Sequence, residues 1–315
     1  MLTKLADKCK SLGVIGAAII VIIVLLATMR DLFDSRQELI LLTIPKQISM
    51  LGYTNNDIAK LVTLKTILTK INAERDFDLA TQRYGLLPQT DIESLKIPGS
   101  EFSVRGLSNL IRDLLFLPSR RILASVTAGK DEYTYLIAAQ SDFENGTAPR
   151  SDTDIDDIIN NLSQSTLKIM SPYTLAASLY NDEKVINGTS FHNTLSIINY
   201  ILSHAVKGSR QEYLAKNLKC IVSNDLHLYD DAVTQCTDAI SIDKNDWPAH
   251  AALSEVYFFK ALPRINPMTG AAPDDAKELC RKSIYEYNIA FKAHQTENIK
   301  GLRKLIDLCQ KAAGD

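Results

Sequence analysis

Catalysis and metal binding need nucleophiles, acids, bases or ligands at workable spacing, and few are set out that way in this chain. The five histidines are His192, His204, His227, His250 and His294. No two stand four residues apart and none lies within four residues of a cysteine, so a zinc signature is missing. The run Asp152-Thr153-Asp154-Ile155-Asp156-Asp157 begins like a calcium loop. It has Asp157 where the loop needs glycine, however, and Ser163 where the bidentate glutamate belongs. Acids opening a helix are stabilised by its dipole, and that plainer reading is preferred. Walker A, Gly-x-Ser-x-Gly and Gly-x-Gly-x-x-Gly patterns do not occur. Cys220 or Cys236 as a nucleophile would need a histidine base, and the nearby His227 falls in a turn. Both cysteines read more simply as small buried side chains. No catalytic residue, cofactor or metal site is expected. Sequons stand at Asn145, Asn161 and Asn187, of which Asn161 falls within a helix.

The bulk properties exclude other classes. In 315 residues, 46% are hydrophobic and 23% charged, with only 13 Gly and 10 Pro, so fibrous and long disordered architectures are ruled out. Five cysteines spread along the chain do not make a disulfide framework. A net charge of −2 provides no footprint for nucleic acid.

The elements fall into four stretches. Residues 1–10 form a basic tail with Lys4, Lys8 and Lys10. Residues 11–29 are uncharged and include Ile19-Ile20-Val21-Ile22-Ile23-Val24-Leu25-Leu26; at 1.5 Å per residue they reach ~28 Å, the length of a transmembrane helix. A cleaved secretory signal is the rival, but the run is long for one and Ala27-Thr28-Met29 makes a poor cleavage site. Lys/Arg counts balance across the span, and the acid-poor tail tips the N-terminus to the cytoplasm.

Residues 37–170 read as a small mixed α/β domain. Leu39–Ile44 is a short apolar run stopped by Pro45, and Thr54 caps a helix with Ile58, Leu61, Val62, Leu64, Ile67, Leu68 and Ile71 inward. A strand is expected over Ile92–Ile97 and a helix over Ser108–Phe116. A hairpin joins Ile122–Ala128 to Tyr133–Ala139, a loop covers Ser141–Ser151, and a last helix follows Asp152.

Residues 172–315 read as helical. Tyr229-Asp230-Asp231-Ala232-Val233 followed by Ala239-Ile240-Ser241-Ile242-Asp243 resembles the second helix of a tetratricopeptide repeat, with Ala232 and Ala239 as its small contact residues. Trp247-Pro248-Ala249-His250-Ala251-Ala252-Leu253-Ser254-Glu255-Val256-Tyr257 resembles the next first helix, and Pro273-Asp274-Asp275-Ala276 opens another second helix. About ten residues are inserted between Tyr257 and Ala276, and 210–224 matches a first helix only with one extra residue in its turn. The helix 297–312 reads as a cap. The resemblance implies a groove lined by first helices, with Glu255, Phe258 and Phe259 facing it and Trp247 at its entrance. One of the two Phe rings, but not both, is expected to pack under the 262–272 insertion, because adjacent helical residues point about 100° apart. The resemblance implies close pairing within a repeat as well, which leaves a Cys220–Cys236 bridge open. Cys236 and Cys280, in successive repeats ~8–10 Å apart, lie beyond disulfide reach.

The whole is similar to bacterial inner-membrane proteins with one N-terminal span, a mixed domain and a repeat-like tail, on the span and on Ile44-Pro45-Lys46 through Gly52-Tyr53-Thr54. The expected fold class is α+β and membrane-anchored: an N-terminal transmembrane helix, a small mixed α/β domain and a C-terminal tetratricopeptide-like domain. The expected location is the bacterial inner membrane, with residues 30–315 periplasmic. The expected role is non-enzymatic, a scaffold of the cell envelope. It would hold a protein or peptide partner in the helical groove and contact the lipid bilayer through residues 11–29. Homo-oligomerisation stays open. The alternatives are an enzyme or small-ligand receptor with its site in 37–170, or a purely structural tether.

Overall fold

The computed structural model describes residues 38–77, 121–128, 132–139, 142–149, 155–186, 190–245, 247–266, 269–293 and 297–314. They form two compact units that part at Met170/Ser171, with the described residues from Asn72 to Phe77 grouping with the second.

The first unit runs β1 (Glu38–Thr43), α1 (Lys46–Met50), α2 (Asn55–Phe77), β2 (Arg121–Ala128), β3 (Glu132–Ala139), β4 (Asp142–Pro149) and α3 (Ile155–Met170). The sheet order is β1-β2-β3-β4, with β1 parallel to β2 and the other pairs antiparallel. Strand side chains alternate between faces. Leu39, Leu41, Ile122, Ala124, Val126, Tyr133, Tyr135 and Ile137 all point to one side, where they form a core with Ile58 and Val62 of α2 and Ile158, Ile159 and Leu162 of α3. Thr54 starts α2 reciprocally: its Oγ1 accepts from the Asp57 N–H, and the Asp57 carboxylate accepts from the Thr54 N–H.

Three expectations are corrected in this unit. Residues 142–149 form a strand where Asn145-Gly146 and Pro149 suggest a loop; backbone pairing with β3 overrides local turn preference. The buried side of α2 is Ile58, Ala59, Val62, Thr63 and Thr66, while Leu61, Leu64, Leu68 and Ile71 are 36–53% exposed. Apolar residues lie nearly all round this helix, so periodicity could not select a face. The buried side packs in the core with the sheet and α3, where Thr66 Oγ1 also meets Ser163 Oγ at 2.9 Å while donating to the Val62 carbonyl. The third correction concerns the membrane. Among the described residues no helix is long and apolar enough to cross one. α2 has 23 residues, but Lys60, Lys65 and Lys70 interrupt it. The membrane-anchored fold class is corrected accordingly, and with it the single-pass inner-membrane localisation. Residues 11–29, the expected strand 92–97 and the expected helix 108–116 lie outside the described residues.

The second unit is helical: α4 (Pro172–Ile186), α5 (His192–His204), α6 (Arg210–Asp225), α7 (Tyr229–Ile242), α8 (Trp247–Ala261), α9 (Asp274–Ala293) and α10 (Glu297–Ala313). Each helix packs on the next, and the first members of the hairpins also meet, α4 with α6 and α6 with α8. Small residues allow this approach. Ala232 and Ala239, two turns apart on α7, are fully buried, and Ser254 and Ser283 each donate to the other's main-chain carbonyl at 2.8 Å across α8 and α9. Two disulfides lock neighbouring helices: Cys220–Cys236 joins α6 to α7 and Cys280–Cys309 joins α9 to α10. The turn from α6 to α7 puts His227 at φ 60°, with Leu228 N–H on the Ser223 carbonyl and His227 N–H on the Asn224 carbonyl. This is the helix stop that normally carries glycine.

Candidate partner-binding face

His250 and the four bridged cysteines are structural in their placement. His250 lies buried, with Nε2 3.0 Å from the Lys244 carbonyl and Nδ1 2.6 Å from Glu286 Oε2. A carbonyl only accepts, so the proton on that side sits on Nε2, and the ring ties α8 to α9. Cys220, Cys236, Cys280 and Cys309 are fully buried in their disulfides, which removes the nucleophile reading. The whole stretch 38–170 contains neither His nor Cys. Its buried Thr66, Ser163, Ser165 and Thr166 bond to one another, to Tyr135 or to main-chain carbonyls.

Ionisable side chains from three helices, α4, α6 and α8, converge at one place in the helical unit. Tyr180 and Lys184 are one turn apart on α4 and so share a face. Asp225 is the last residue of α6, where a carboxylate works against the helix dipole and needs another reason to be there. That reason is α4. The Tyr180 hydroxyl donates to Asp225 Oδ2 at 2.6 Å, Lys184 Nζ donates to the same hydroxyl at 2.6 Å, and Lys184 pairs with Asp225 at 3.0 Å. Tyr180 is held from behind by stacking on Phe191, with ring centroids 5.4 Å apart. Burial first, then the hydrogen bond to Asp225, pushes its hydroxyl well above the ordinary tyrosine range. Tyr180 is therefore a hydrogen-bond donor at neutral pH and not a base.

Glu255 reaches the same place from α8. It is partly buried and makes no hydrogen bond or ion pair among the described residues. Burial, and secondly the Asp225 carboxylate, raise its carboxyl above the ordinary value, while Lys184 pulls it back part of the way. The face thus carries two carboxylates against one ammonium.

The residues expected to line the groove are dispersed. Glu255 is on the face. Phe258 is only 3% exposed, in a cluster with Ile265, Ala276, Cys280 and Cys309. Phe259 packs against the same cluster, so the segment after α8 and the helices α9 and α10 engage both rings. Trp247 packs against Tyr287, Ala290 and Ile306 rather than standing at an entrance. Tyr180, Lys184 and Asp225 escaped sequence reasoning. The available signals were the four-residue Tyr/Lys spacing and an acid closing a helix.

No known family, no curated protein and no solved structure matches this chain.

Proposed function

We propose that the helical unit binds a protein or peptide partner on the face formed by α4, α6 and α8. The carrying observation is the convergence of Tyr180, Lys184, Asp225 and Glu255 from three helices, with Glu255 left unpaired among the described residues. A site spread over three helices suits an extended segment better than a small compact ligand. Its one tyrosine is a donor, and no thiol or imidazole takes part, so the groups hold and orient rather than transfer protons.

The test is a photo-crosslinking residue placed at Lys184, whose side chain is 52% exposed, and in a second version at the exposed Thr234 on α7. In the full chain in its own cells, a defined polypeptide adduct is expected from position 184, suppressed by Glu255→Arg. An adduct from 234 and none from 184 would place binding on the opposite helices and overturn the reading.

A further inference from the structure

Glu255 is out of place energetically. A desolvated carboxylate without a partner destabilises the fold, and glutamine would fill the same space at no such cost. The nearby ammonium does not answer it, because Lys184 is already engaged by the Tyr180 hydroxyl and by Asp225. Nor is the deficit of donors confined to Glu255. α6, which packs on α8, carries the amide oxygens Asn217 Oδ1 and Asn224 Oδ1, both buried and without a hydrogen-bond partner. Asn217 is 5% and Asn224 7% exposed, and seven residues put them on one side of that helix. Among the described residues, two buried acceptors on α6 thus go without a donor, as the Glu255 carboxylate does on α8.

A divalent cation fits this poorly. Asp225 already accepts from Tyr180 and Lys184, the Lys184 ammonium repels metal charge, and no group of three or more metal-binding side chains exists among the described residues. A cation on an organic stem fits well. It brings several N–H donors, and its methylenes tolerate the partly buried surroundings of Phe259 and Ala252 on the same helix.

Resting on the reading of this face as a protein-binding surface, we propose that Glu255 receives a lysine or arginine side chain of the bound partner. The partner segment is basic at one fixed position. Lys184 then acts as a resident competitor whose charge sets how strongly that position is preferred.

A random dodecapeptide library selected against the full chain tests this. Selected peptides should carry Lys or Arg at one common position, and Glu255→Gln should weaken them about tenfold or more, the worth of a charge-assisted hydrogen bond taken out of water. Lys184→Gln should act in the opposite direction and tighten them. A thermal melt separates these effects from misfolding, since Glu255→Gln is expected to melt no lower than the parent chain. Enriched peptides without a common basic position, or peptides that Glu255→Gln leaves unchanged, would overturn the cationic preference while leaving the binding face intact. Peptide binding abolished by millimolar calcium or magnesium would reassign the carboxylates to a metal and overturn it too. Failure to enrich any peptide would overturn the binding face itself.

Discussion

Removing the Cys220–Cys236 bridge measures how the helical unit is held together. The two Cα atoms are 5.3 Å apart, and the bridge spans a sequence separation of 16 residues. For a loop of that size, closing it in the unfolded chain removes roughly 10 cal/mol/K, which is ~3 kcal/mol at 25 °C. Both sulfurs are fully buried with Ala232, Leu253 and Val256, so replacing both cysteines by alanine adds about 1 kcal/mol of lost packing. The double variant Cys220→Ala/Cys236→Ala should therefore lose ~3–4 kcal/mol. With a urea slope of roughly 2 kcal/mol/M, the midpoint of the helical unit moves down by ~1.5–2 M at unchanged slope. Circular dichroism follows the transition. Cys280→Ala/Cys309→Ala, closing a separation of 29 residues, should cost about 0.5 kcal/mol more by loop length alone. A shift below ~0.5 M for the first pair would refute the reasoning. Titration of more than one free thiol in the denatured, non-reduced chain would do so directly, because Cys9 is the only cysteine outside the two bridges.

Glu255→Gln should change the pH dependence of stability. The folded carboxyl sits above its unfolded value, so the native state holds the proton more tightly, and stability is lost as pH rises from about 4.5 through the folded value. The variant should be the more stable protein at pH 7 and equal to the parent near pH 4; a parent that is more stable at pH 7 would contradict this. Leu64→Gln on the exposed side of α2 should change stability by less than ~0.5 kcal/mol, whereas Val62→Ala on the buried side should cost ~1–2 kcal/mol in urea unfolding. Equal losses would show that the exposed row is covered. His227→Gly should stabilise the helical unit by roughly 0.5–1 kcal/mol by relieving a left-handed residue, read as a higher unfolding midpoint.

Local pattern was enough for much of this protein. The alternation in Ile122–Ala128 and Tyr133–Ala139 defines a hairpin whatever surrounds it, since period-two residues bury one face of a sheet. The paired alanines Ala232 and Ala239 define a close helix contact because small side chains at that spacing make one smooth face. Other features needed the fold. β4 carries turn-forming residues and is a strand only because β3 offers it a free edge. α2 is apolar nearly all round, so only its packing against the sheet and α3 tells that Leu61, Leu64, Leu68 and Ile71 point outward. The Cys280–Cys309 pairing was not legible, because choosing it requires knowing which helices are neighbours.

The candidate face shows the same division. Glu255 was readable from its position on a first helix, while burial of both Phe258 and Phe259 was not, because the segment after α8 has no periodic signal to reveal how much it covers. Tyr180 and Lys184 are 45 and 41 residues from Asp225, and no local rule brings them together. Sequence by itself determined most of the described helices and strands, β4 excepted, through side-chain periodicity and the backbone preferences of each residue. Tertiary structure alone decided which side of α2 faces inward and which distant charges meet. Those depend on contacts between segments far apart in the chain, and no single segment encodes them.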